Sequence, residues 1–149
     1  MFKRILLFTF VLFVITKSQA QEVKVITIVE SVVPMGAGRS KIIEQKTNVN
    51  HKDFTTERAD GKKSKSKNIR RSDIKIDTFA ETKLLNFYSG IGINFQNIAS
   101  NDAVISSKIN DLILNGWDLI FVTSAVESDA GKDDGKGIFI TRLFFRKVK

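Results

Sequence analysis

Residues 102–122, DAVISSKINDLILNGWDLIFV, decide how this chain folds. Ile105, Ile109, Leu112 and Ile113 recur at helical spacing and fall on one face. Ser100 or Asn101 can cap the first free amides, and Asp102 sits favourably against the partial positive charge of a helix N-terminus. These signals predict a helix over 102–115. Gly116 is the expected left-handed stop, which places Trp117 where it can pack back onto Leu112. Past that stop the period drops to two. Trp117, Leu119 and Phe121 are expected on one side of a strand over 117–127, with Ile120, Val122 and Val126 on the other.

The same alternation continues outward in both directions. Residues 137–147 read as a final strand, and the connection 128–136 is long enough for an antiparallel hairpin with the strand before it. Upstream, Val23, Val25, Thr27, Val29 and Val33 alternate with Lys24, Ile26, Ile28, Glu30 and Val32. β-Branched residues dominate both sets, which predicts a strand over 22–33 with both faces at least partly covered. Residues 34–38, PMGAG, interrupt it, and 41–46 suit the return arm of a hairpin. A further strand is expected over 83–89, ended by Gly90-Ile91-Gly92. The order implies an α+β fold, an antiparallel sheet of about four to five strands with one main helix packed on one face.

The run from the helix through Gly116-Trp117-Asp118-Leu119, closing on Phe144-Phe145-Arg146-Lys147, resembles a small bacterial domain family of unknown function. In that family a helix, a Gly-Trp-acidic-Leu strand and a final Phe-Lys/Arg strand pack together. The resemblance covers roughly residues 101–147. It implies the fold of that third of the chain and supplies no catalytic residue.

The N-terminus speaks to location. Lys3 and Arg4 precede an apolar run from Ile5 to Ile15, and Ser18-Gln19-Ala20 offers small residues at a cleavage position. Eleven residues fall short of the roughly 20 that span a bilayer. Residues 1–20 therefore read as a cleaved export signal, leaving 21–149 as one exported domain, periplasmic or secreted, with no transmembrane span after cleavage. A lipid anchor on the new N-terminus would need a cysteine there, and the chain has none. That absence also removes disulfides, thiol nucleophiles and cysteine metal sites, so packing alone has to carry the fold.

The net charge of +8 is local. With Lys3, Arg4 and Lys17 set aside, 21 basic and 16 acidic residues leave +5. Arg58, Lys62, Lys63, Lys65, Lys67, Arg70 and Arg71, against Asp60, account for +6 of this. The rest of the domain is close to neutral. Residues 48–72 are poor in large apolar groups apart from Phe54, and read as a mobile basic insertion. Lys62, Lys63, Lys65, Lys67, Arg70 and Arg71 are the candidate contacts for an anionic polymer or lipid head groups by counterion release. Without interleaved aromatics to stack on bases, no specific nucleic-acid binding is expected.

The second candidate is the stretch 88–97. Tyr88, Asn94, Phe95, Gln96 and Asn97 combine flat apolar area with amide groups just before a helix, the chemistry of a modest carbohydrate or peptide contact. It is equally that of a loop pinned to the core by Phe95 and Ile98. Other features read as ordinary. Gly36-Ala37-Gly38-Arg39-Ser40 lacks the ending and the helix of a phosphate loop. Glu127, Asp129, Asp133 and Asp134 miss the calcium-loop spacing, since Gly131 and Asp134 occupy positions three and six. His51, the single histidine, suits a solvated surface site.

Together these features predict no metal, cofactor or catalytic set. The reading that follows is an exported, non-enzymatic interaction module whose partner is a protein or surface polymer. Anionic-polymer or lipid head-group binding through the basic insertion comes second, and a hydrolase built on 88–97 last. Edge strands of so small a sheet could also pair between molecules and make a dimer.

Overall fold

The computed structural model describes residues 21–33, 39–89, 91–127 and 137–148. The expected signal over 1–20, the 34–38 break and the acidic loop 128–136 lie outside the described residues. Among the described residues, seven strands and one long helix form an α+β fold. They are β1 (Gln21–Ser31), β2 (Lys41–Gln45), β3 (Phe79–Lys83), β4 (Tyr88–Ser89), β5 (Gly92–Ile93), β6 (Asp118–Val126) and β7 (Ile138–Val148). A single helical turn, α1 (Arg71–Ile74), precedes β3, and the main helix α2 spans Phe95–Leu114.

Five strands make one antiparallel sheet in the order β3-β2-β1-β7-β6, while β4 and β5 form a separate small hairpin. The two ends of the domain meet at its centre. β1 and β7 pair over eleven residues from Gln21↔Val148 to Ser31↔Ile138. Alternation along them sends Ile26, Ile28, Leu143 and Phe145 to one side, where they join Ile42, Leu84, Leu112 and Trp117 in the core. Ile105 and Ile109 of α2 pack against that cluster, so the helix covers this face.

The helix stop forms as its residues dictate. Asn115 is the C-cap, and Gly116 follows at φ 81°, the left-handed region that glycine enters at least cost. Gly116 N–H donates to the Ile113 carbonyl at 2.9 Å and Trp117 N–H to the Leu112 carbonyl at 3.0 Å, the paired bonds of a Schellman turn. Trp117 and Leu112 both end up buried. The helix start differs from the expectation. α2 begins at Phe95, capped by Asn94, whose side-chain oxygen accepts from Gln96 and Asn97 N–H. Ser100 instead donates to the Gln96 carbonyl, and Asn101 is buried inside the helix. The mixed polarity of 95–101 hid two turns because their asparagines fasten a neighbouring loop. At the other end Ile113, expected on the packed face, is exposed.

Two strand readings change as well. The single strand expected over 83–89 does not form. β3 lies upstream and ends at Lys83 opposite Lys41, the first residue of β2, and past it only Tyr88 and Ser89 of the expected stretch are extended, in β4. β1 forms as expected and pairs with β2 as a hairpin, and both faces are at least partly covered. Ile26 and Ile28 are buried on one, while on the other Ser31 is buried, Thr27 and Val29 are half-buried and Val23 and Val25 are exposed. In β6 the register slips between Leu119 and Phe121, which oppose the consecutive residues Phe145 and Phe144. Ile120 is the extra residue of a β-bulge. Phe121 consequently turns away from Trp117 and Leu119 and stands beside Phe144, ring centroids 5.7 Å apart.

Candidate functional site

The 84–94 segment is held by asparagines. Asn101 receives Leu85 N–H on its Oδ1 and donates Nδ2 to the Leu85 carbonyl, both at 2.8 Å. Asn97 Nδ2 donates to the Asn86 carbonyl at 2.7 Å, and Asn86 Nδ2 reaches the carbonyls of Val33 and Tyr88. Of the residues proposed as ligand contacts, Asn94 caps the helix and Asn97 fastens the loop. Gln96 and Phe95 point into solvent, Phe95 at 78% exposure, and Tyr88 is half-buried. The pinning expected of Phe95 is done by amides instead. Ile91, Ile93 and Phe95 together form an exposed apolar knuckle ahead of α2.

The basic segment forms three isolated 3-10 turns, His51–Phe54, Ala59–Gly61 and Ser66–Asn68, with no buried residue. Arg70 pairs with Asp73 at 3.3 Å. Lys62, Lys63, Lys65, Lys67 and Arg71 have no side-chain partner among the described residues, and Lys62, Lys63 and Lys65 line an open depression together with Ala59 and Asp60. Charge gathered on exposed side chains can meet an anion without rearrangement.

A third cluster was not foreseen. Glu44 of β2 is buried on the helix-covered face and accepts Lys108 at 2.7 Å, Lys24 at 3.0 Å and Lys46 at 3.1 Å. Burial by itself raises a carboxyl, but the three ammonium groups outweigh it and hold Glu44 at about 2. Lys24 also stands 4.9 Å from the centre of the Trp117 ring, and Lys147 5.9 Å, a cation–π pairing on both. These groups satisfy one another, which makes them a fastening between β1, β2, α2 and the Trp117 turn. Only the contact order could have revealed them, since the four charged residues are scattered over 85 positions of sequence from Lys24 to Lys108. Glu30 behaves differently. Burial raises its carboxyl, opposed by an Asn101 hydrogen bond and reinforced by Asp102.

The surface with the most unmet bonding capacity is β6. It terminates the sheet, so one row of its backbone groups has no strand beside it among the described residues. All nine of its residues are exposed, including Phe121 at 59% and Leu119, Ile120, Val122 and Val126 between 40% and 59%. Its single charge, Asp118, lies at one end. Leu119, Val122 and Val126 share the helix-side face with Leu143 and Phe145, while Phe121 joins Phe144 on the opposite face. Strands apolar on both sides normally lie inside a sheet. Here the pairing of β7 with β1 leaves β6 outermost.

His51 is exposed in a 3-10 turn, and its carbonyl, not its ring, accepts the Thr55 hydroxyl. Ser40 is buried and its hydroxyl oxygen accepts Ser31 N–H, a structural role for the end of that glycine-containing stretch. Among the described residues no three acidic or histidine side chains gather as a metal site, and no helix is long and apolar enough to cross a membrane. No family model matches the chain, and neither do any curated proteins or solved structures. The resemblance of residues 101–147 therefore stands on its own residues.

Proposed function

We propose that this chain is an exported, non-enzymatic interaction module that binds through the β6 edge and the apolar side chains flanking it. The observation that carries the reading is a nine-residue edge strand, exposed throughout, with one charge at its end. Past the bulge at Ile120 that edge offers a row of backbone donors and acceptors to an added strand, and its side chains add apolar contact on both faces. Contiguous exposed apolar surface is uncommon on soluble domains unless something binds there. Export follows from the reading of residues 1–20.

Site-directed photocrosslinking in the producing cell tests this. A photoreactive residue at Val122 is expected to yield a discrete adduct, whereas one at Thr82 in β3 is not. Absence of any adduct at Val122 overturns the reading.

A second reading has its own observation. Five unpartnered cations between Lys62 and Arg71 favour an anionic polymer or lipid head group, bound by counterion release. Deleting residues 58–71 should then abolish salt-sensitive binding to such polymers, and retention of that binding rules the reading out.

A further inference from the structure

We infer that the occupant of the β6 edge is a second copy of this chain, paired antiparallel through residues 121–125 about a two-fold axis at Thr123. The inference rests on the reading of β6 as a binding edge and names its partner. An isologous antiparallel pair sets residue i against residue j with a constant sum, and the axis stands normal to the sheet. The bulge at Ile120 ends the regular ladder on one side, so the usable window begins at Phe121. Centred on Thr123, the pairing sets Phe121 against Ala125 and Val122 against Ser124, large beside small on each face, and Thr123 against itself. Such cross-strand neighbours are favourable, and opposed like charges are not.

Charge permits a second copy at β6 and opposes one at β3. Residues 121–125, FVTSA, contain no ionisable group, so self-pairing opposes no like charges in any register within them. The other sheet edge behaves oppositely. β3, FAETK, paired with itself over its full length would set Glu81 against Glu81. The two open faces also come together on one side of the joined sheet, bringing the Phe121 and Phe144 rings of both copies toward the axis. The product is one continuous sheet of two five-stranded halves. The basic segments, rooted between β2 and β3, lie at its two far ends.

A five-residue edge is small beside the ~800 Å² per partner of a standard interface, so association is expected in the micromolar range. Sedimentation of the purified protein from about 1 to 200 µM should show a monomer–dimer equilibrium. Thr123→Lys, which opposes two ammonium groups at the axis, should weaken it by about 10- to 100-fold, and Thr82→Lys in β3 should not. Because the chain has no cysteine, Thr123→Cys, Val122→Cys and Ser124→Cys each report proximity to the axis alone. Mild oxidation should give a covalent dimer, fastest at Thr123. A protein that stays monomeric to about 200 µM and gives no covalent dimer at any of the three positions overturns the inference. The Val122 photoadduct separates the two levels. A mass twice that of the chain supports self-pairing. A different mass overturns self-pairing and leaves the binding edge standing, and no adduct removes both.

Discussion

The two edges of the sheet are built on opposite principles. β3 is five residues long, carries Glu81 and Lys83, and is tied to β2 by a Lys41–Glu81 ion pair at 2.8 Å. Behind it Glu44 draws in Lys24, Lys46 and Lys108. β6 is nine residues long, has one charge, and is held by antiparallel pairing with β7. Short length and charge are the usual protections against stray strand pairing. The β3 edge has both and the β6 edge has neither, which shows that exposure at β6 is tolerated where exposure at β3 is guarded. One edge of the sheet is short and charged, and the other is long and mostly apolar.

The largest expected effect lies on the charged side. Glu44→Gln leaves three ammonium groups around a neutral amide, and should lower stability by about 2 to 4 kcal/mol, read as a fall in the urea midpoint. The same residue sets an acid limit. Its folded carboxyl holds a proton less readily than its unfolded one, so its stabilisation is complete above about 4.5 and is lost as pH falls toward about 2. Urea midpoints of the parent protein should drop across that window, with Glu44→Gln showing a flatter profile. A parent profile as flat as the variant's would remove the ion cluster as the fastening of that side.

Asn101→Ala follows, at roughly 1 to 3 kcal/mol, because Leu85 N–H and carbonyl both lose their partner. Faster amide exchange at Leu85 would localise the loss to the 84–88 loop, and unchanged exchange there would contradict it. Gly116→Ala should cost about 1 kcal/mol through its left-handed backbone alone, since an added Cβ meets only the end of Lys147 at 3.6 Å. The smallest effect belongs to the edge itself. Thr123→Lys sets an ammonium group opposite Arg142 of β7 across the pair and should lower monomer stability by about 0.2 to 1 kcal/mol, while weakening self-association by about 10- to 100-fold. A large loss of monomer stability would show that β6 is held by more than its pairing with β7.

How much of this was legible in the sequence depends on how local the signal was. The helix stop at Gly116-Trp117, the first hairpin and the last strand are written in neighbouring residues, and each formed within a residue or two of its expected limits. The start of α2 was missed because Asn94, Asn97 and Asn101 look like loop residues until the loop they fasten is seen. The bulge at Ile120 was missed because unbroken alternation is the only strand pattern a chain displays by itself. Of the expected contacts at 88–97, Asn94 and Asn97 bond backbone groups of the helix start and the neighbouring loop, a use that local sequence does not display.

By itself the sequence determined the composition of the elements. It set an antiparallel α+β chain without cysteine, a main helix ended by glycine, a basic segment between two strands, and a strand near the C-terminus apolar on both sides. Those properties follow from side-chain period, turn residues and local charge, all of which act over a few positions. The tertiary structure decided which strands stand at the edges and which charges meet. β7 pairs with β1 across the whole domain, and that long-range choice places β6 outermost and gathers Lys24, Glu44 and Lys108 into one cluster. Pairing between distant strands is settled by the burial of Ile26, Leu143 and Phe145 together, a cooperative gain that no single segment carries.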